Sequence, residues 1–241
     1  MSRIVLIRLL VVAALSVAGV RYGLPYLNNV SDNNAEQSVP VATDSMATES
    51  ASPNYSVDEA APEEVVWGKA SAPIIIIEYA SMTCNHCAAF HTQTFPELKT
   101  KYIDTGLVQL RLRPFPLDAY AMSAAMLVSC VAPIQKQGFV HLLFAQQQKW
   151  ISAANIFGAL QRLAKQAGLS EEDVIACIQD ESVLNNIRAL QKQAVDELKV
   201  QSTPTFFING TRLEGNHTFI AFEKNIIPLL PEVLPEGRNR S

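Results

Sequence analysis

Three kinds of apolar patterning order this chain. Residues 9–20 are almost wholly apolar and follow Arg3 and Arg8. Residues 28–64 nearly lack bulky apolar side chains and are rich in Ser, Asn, Ala, Asp, Glu and Pro, as in Asn33-Asn34-Ala35-Glu36-Gln37-Ser38. Such a stretch cannot bury enough apolar surface to offset its ordering entropy, so it is expected to be a disordered linker. From Val65 onward, apolar positions recur with the periods of secondary structure. Ile74-Ile75-Ile76-Ile77 is an unbroken β-branched run after Pro73, the pattern of a strand buried on both faces in an α/β sheet. A turn at Ser81-Met82-Thr83 leads into a helical stretch from Cys84 to about Tyr102, interrupted at Pro96. Val108-Gln109-Leu110-Arg111-Leu112-Arg113 alternates, predicting a second strand with one polar face, ended by Pro114 and Pro116. Strand–helix–strand order implies a parallel pair.

The pattern is helical throughout residues 118–198. Ser170 stands as the N-cap of one helix, with Glu171, Glu172 and Asp173 in its first turn. A strand returns at Thr205-Phe206-Phe207-Ile208. Asn209-Gly210 predicts a two-residue hairpin turn, and Thr211-Arg212-Leu213 the strand after it. A last helix covers about 218–230. The length of 241 residues and the 49% hydrophobic content suit one sizeable folded domain with extra segments. The reading is α/β: 65–117 and 199–233 form one domain, 118–198 an inserted all-helical domain, and 234–241 a flexible tail.

Residues 1–27 carry the features of an export signal. Two arginines precede the apolar run, and Ser16-Val17-Ala18 offers small residues where a signal peptidase would cut. An uncleaved signal anchor is the competing reading, because residues 4–20 are just long enough to cross a bilayer core. Either way the positive-inside rule leaves the folded domain outside the cytoplasm. The expected location is the periplasm, soluble after cleavage or tethered to the inner membrane. The formal net charge is −4 and no basic stripe stands out, so nucleic acid is not an expected partner.

The chemistry points to Cys84-Asn85-His86-Cys87. A cysteine at the junction of strand and helix faces unpaired amide N–H groups and the positive end of the helix dipole. Its thiolate is thereby favoured and becomes reactive near neutral pH. Cys84 is the candidate nucleophile and Cys87 the more shielded resolving thiol. His86, when protonated, would stabilise the Cys84 thiolate further and make a Cys84–Cys87 disulfide more oxidising. Spacing alone leaves a second reading open, a zinc or partner-binding module using Cys84, Cys87 and His91. Thr203-Pro204-Thr205, at the entry to a strand, favours the redox reading. A cis Thr203–Pro204 bond there would present backbone edges to an extended substrate segment, with Thr203 and Pro204 as its binding residues. Glu78, at the end of the apolar strand, would lie half-buried beneath the site, with its pKa raised if it is unpaired. Arg111 on the neighbouring strand is a candidate counter-charge. Cys130 and Cys177 admit three readings: a structural disulfide stapling two helices, two buried free thiols, or a second redox pair. The last is the weakest, since neither is in a C-x-x-C.

The run from Glu78 to His91, with Thr203-Pro204-Thr205 downstream, resembles the DsbA-like branch of the thioredoxin superfamily. The resemblance covers residues 65–230. It implies a thioredoxin fold with an inserted helical domain, an attacking Cys84, a resolving Cys87 and a cis Pro204. Glu78 takes the place of the buried acid that passes protons to the resolving cysteine. The implied activity introduces disulfides into unfolded or reduced exported proteins, with reoxidation by a quinone-linked membrane partner. Neither cofactor nor metal is expected, and with no separate dimerisation domain legible the chain is expected to be a monomer. Asn85 stands where the best-known members have proline, and Thr203 also recurs before the proline in isomerase-like and reducing relatives. A disulfide isomerase or reductase of the same fold is therefore the alternative direction.

Overall fold

The computed structural model describes residues 63–215 and 217–231. The export segment 1–27, linker residues 28–62 and the tail 234–241 lie outside them. Two residues assigned to the linker belong to the folded domain: Glu63 and Glu64 are both buried. Asn186 Nδ2 donates to Glu63 at 2.8 Å, and Glu64 pairs with the Arg113 guanidinium.

Five strands form one sheet: β1 (Val65–Trp67), β2 (Ile74–Ala80), β3 (Val108–Pro114), β4 (Thr205–Ile208) and β5 (Thr211–Glu214), in the order β1-β3-β2-β4-β5. β2 and β3 are parallel, as the strand–helix–strand pattern predicts, and the other neighbours are antiparallel. Gly68 turns the chain after β1 at φ +94°, where a Cβ would stand 2.5 Å from the Val108 carbonyl, so only glycine fits. The β4–β5 turn has positive φ at both Asn209 (43°) and Gly210 (86°), the requirement of a two-residue hairpin. The Asn209 side chain also clasps β2, accepting from Ile75 N at 2.8 Å and donating to the Pro73 carbonyl at 3.3 Å.

Alternation along β2 and β3 sends Ile74, Ile76, Ala80, Val108, Leu110 and Leu112 into the main core with Phe90, Leu98, Phe206 and Phe222. The opposite face carries Ile77, Tyr79 and Phe207, which pack with Ala194 and Leu198. The polar side of β3 does not meet water: Gln109, Arg111 and Arg113 are all buried. β3 is interior to the sheet, and the last helix of the insert packs on it. Polar groups shut in this way must pair. Arg111 Nε donates to Gln109 at 2.7 Å, and Arg113 joins Glu64 and the Tyr79 hydroxyl.

The helical stretch after β2 is not broken at Pro96. α1 (Asn85–Ala89) passes through a π-helical turn (Phe90–Thr94) into α2 (Phe95–Leu98) and a second π-helical turn (Lys99–Ile103). Pro96 has no N–H for the ladder, and its ring would crowd the carbonyl four residues back. The wider turn just before it relieves both demands and lets the run continue.

Six helices make the insert: α3 (Ala119–Cys130), α4 (Pro133–Ala145), α5 (Gln147–Ile151), α6 (Ile156–Gln166), α7 (Glu171–Ile178) and α8 (Glu181–Asp196). Ser170 caps α7 in a full capping box with Asp173. Cys130 and Cys177 form a disulfide with Cα atoms 6.1 Å apart, joining the end of α3 to α7. After the hairpin, α9 (Phe219–Ile226) and a single 3-10 turn (Ile227–Leu229) complete the described fold.

Candidate active site

The site is assembled at the C-terminal end of β2. The turn after Ala80 is held by Cys84 N donating to the Ser81 carbonyl at 3.1 Å and by Thr83 Oγ1 donating to Asp118 at 2.6 Å. Cys84 is the N-cap of α1 with extended backbone (φ −78°, ψ 119°), so the first amides of the helix have no ladder partner and open toward its sulfur.

Cys84 and Cys87 are both free thiols, and their surroundings differ sharply. Cys84 is half-buried; Cys87 is fully buried. The Cys84 thiol is lowered from its ordinary 9.0 to about 5. The chief cause is a hydrogen bond from the Cys87 thiol, which outweighs the opposing effect of partial burial; the Thr203 side chain and the backbone N–H groups of Cys87 and His86 add to it. Burial pushes the Cys87 thiol far up, reinforced by its bond to Cys84 and by the negative charges of Glu78 and Cys84. One sulfur is held as thiolate and the other as thiol.

His86 contributes through its backbone N–H, and its side chain is exposed to solvent. The Thr203–Pro204 peptide bond is cis. It brings the Thr203 carbonyl to 3.3 Å from Cys84 Sγ across 119 residues of sequence, so the strand-entry loop lies against the Cys84 sulfur.

Glu78 lies deeper than the half-buried position expected, and its partner is not the one considered. It is wholly buried, and Oε2 lies 2.9 Å from His91 Nε2. Arg111 is not its counter-charge, because the register opposes Arg111 to Ile77 and so places it on the other face of the sheet. The His91 ring stacks on Phe144 (4.4 Å, 16°) and is flanked by Phe90, Phe95 and Trp67. With Nε2 turned to Glu78, His91 is not presented to the two sulfurs as a ligand. Among the described residues no group of three His, Cys, Asp or Glu side chains is placed to hold a metal ion.

One residue gave no signal in the sequence. Gln147, buried at the start of α5, donates from Nε2 to the carbonyls of Met82 and Cys84, each at 2.9 Å. Its neighbour Gln148 donates to Asn85 Oδ1 at 2.8 Å. A glutamine in a helical insert, 63 positions from the cysteine it holds, has no local pattern to announce it.

Two adjacent thiols made this unequal suit exchange with a second disulfide: the exposed sulfur enters or leaves as thiolate, and the buried one closes the ring. Fold and site together define a thiol–disulfide exchange protein of thioredoxin architecture. Comparison with known proteins is consistent in class. Residues 60–227 match the family model described as Thioredoxin. The crystal structure of Wolbachia pipientis α-DsbA1 superposes with a TM-score of 0.65 at 32% identity, over 70% of this chain and 92% of that one. A Rickettsia felis protein that carries the provisional name protein-disulfide oxidoreductase is 28% identical over 224 residues, 87% of this chain and 80% of its own. Chlamydia trachomatis DsbA shares the fold, with a TM-score of 0.62 at 22% identity over 73% of this chain and 96% of that one. The chain belongs to the DsbA-like thiol–disulfide oxidoreductases of the thioredoxin superfamily.

Proposed function

We propose that this protein is an exported dithiol oxidase that introduces disulfides into reduced proteins. The observation that carries the reading is the inequality of the two sulfurs: a Cys84 thiolate lowered to about 5 beside a buried Cys87 thiol. A stabilised thiolate is a good leaving group and favours the reduced enzyme, which makes its disulfide oxidising.

In the forward reaction a substrate thiolate attacks Sγ of Cys84 in the Cys84–Cys87 disulfide. The S–S bond breaks, Cys87 leaves with the electron pair and takes up a proton by way of the Glu78–His91 pair, and a mixed disulfide remains on Cys84. The substrate's second thiolate attacks its own sulfur in that bond, and Cys84 leaves as thiolate. Two electrons have moved to the enzyme and the substrate holds the new disulfide. The Thr203–Pro204 loop, at 3.3 Å from Cys84 Sγ, presents backbone to the segment flanking the substrate cysteine. A quinone-linked membrane partner would take the two electrons back, with the Cys87 proton released as the Cys84–Cys87 disulfide re-forms. The apolar run 9–20 behind Arg3 and Arg8 supports export to the periplasm, and the chain would act as a monomer.

Oxidised protein mixed with a reduced dithiol peptide should form one peptide disulfide per Cys84–Cys87 disulfide consumed, and Cys84→Ser should form none. A peptide that stays reduced beside protein that stays oxidised would show that the direction is wrong.

A further inference from the structure

Of the insert's helices, short α5 is the one that reaches the backbone of the active-site cysteine turn. α5 is fixed from below by Trp150, which is 2% exposed and donates its indole N–H to the Leu143 carbonyl at 2.9 Å. From this base Gln147 meets the carbonyls on either side of Thr83, those of Met82 and Cys84. Both partners are acceptors, so the amide nitrogen must face them, and the orientation of the group is settled by chemistry.

The Cys84 carbonyl belongs to the peptide plane that opens α1. It already accepts Ala88 N–H at 3.1 Å, the first bond of the helix. A second donor on the same oxygen fixes the tilt of that plane. The plane in turn aims the next amides, those of His86 and Cys87, which are the backbone donors serving the Cys84 sulfur. Hydrogen bonds in series also polarise one another, so a donor on the Cys84 carbonyl strengthens the Asn85 N–H of the same peptide unit at the mouth of the helix. The Gln148–Asn85 bond grips the same turn one residue further on.

We infer that Gln147 is a positioning residue for disulfide exchange: by holding the Met82 and Cys84 carbonyls it aims the helix N-terminus at the Cys84 sulfur and so tunes the redox pair from the insert. This rests on Cys84–Cys87 being the working redox pair.

The test compares wild type with Gln147→Met, which keeps the length of the side chain and removes both donors. Three readings are taken: the thiolate absorbance of Cys84 against pH, the equilibrium constant with glutathione, and the melting temperature of the oxidised form. The variant should need a pH higher by half a unit or more, as an order-of-magnitude estimate, to ionise Cys84. Its disulfide should be roughly three- to tenfold less oxidising, a tenfold change being about 30 mV. Should Gln147→Met fail to fold, Gln147→Asn retains an amide one methylene too short to reach, and is expected to move both readings the same way. A variant that folds and melts at a lower temperature, yet keeps the wild-type titration and equilibrium constant, overturns the inference and leaves Gln147 a merely structural tie. If the wild type itself does not exchange with glutathione, the underlying reading of the pair has failed instead.

Discussion

Reduced protein should expose a nucleophile that loses its proton near pH 5 rather than near 9. At about pH 7 that leaves roughly 100 thiolates per thiol, against about one in a hundred for an ordinary cysteine. Taken whole, lowering a thiol from 9.0 to about 5 corresponds to about 5 kcal/mol at 1.36 kcal/mol per pH unit. Neutral pH lies midway between the two values, so only about half of this is in place there, and solvent screening of the half-exposed Cys84 brings that half down to about 1–1.5 kcal/mol. The folded pKa lies below the unfolded one, so this stability is complete above the unfolded value and is lost as pH falls through about 5. Cys87, raised in the fold, is a thiol in folded and unfolded chains alike below about pH 8 and adds no pH dependence there. Against this stands the disulfide, whose closure of a ring of four residues is worth only about 2 kcal/mol by loop entropy. At neutral pH the reduced form should therefore come within about 1 kcal/mol of the oxidised form, where an ordinary structural disulfide would leave it clearly the less stable. The assay is denaturant unfolding of both forms from about pH 4 to 8, with the rate of Cys84 alkylation followed over the same range. An alkylation inflection between about 8 and 9, together with an oxidised form clearly more stable at neutral pH, would refute the reasoning.

In Cys87→Ser the Cys84 thiolate should attack a substrate disulfide and expel one substrate sulfur as thiolate; with no resolving thiol the mixed disulfide on Cys84 accumulates and is seen by mass spectrometry. The double variant Cys130→Ser, Cys177→Ser should lose roughly 2–4 kcal/mol in denaturant unfolding, since the bridge closes 47 residues and loop entropy sets an upper value of about 4 kcal/mol. The Cys84 titration should not change in that variant. His91→Phe should cost about 3–5 kcal/mol, because it leaves the Glu78 carboxylate buried without its partner. Adding Glu78→Gln to it should recover part of the loss, and equal losses in the single and double variants would show that the pair is not coupled.

Much of this architecture was legible because it is written locally. The Ile74–Ile77 run, the Asn209-Gly210 turn, the Ser170 cap and the Cys84/Cys87 spacing each depend on neighbours a few residues away. The residues misread or missed depend on what arrives from far off. Alternation in β3 correctly separates its two faces, yet no local pattern says that α8 covers the polar one or that Glu64 returns to pair with Arg113. Glu78 finds His91 thirteen residues on because the helical run lays that ring over the end of β2. Arg111 on the next strand cannot serve Glu78, because its side chain points to the opposite face. The Pro96 break was misjudged for another reason: the rule that proline ends a helix omits the π turn that accommodates it. Gln147 lies beyond sequence reasoning altogether, since its role exists only once α5 has docked on the active-site turn.

How strongly Cys84–Cys87 draws electrons decides the direction of exchange, and the measurement is its equilibrium with glutathione at neutral pH. The pair should be reduced even in relatively oxidising mixtures, with a potential less negative than about −200 mV. A potential below about −250 mV, the range of reducing relatives, would contradict the proposed oxidase.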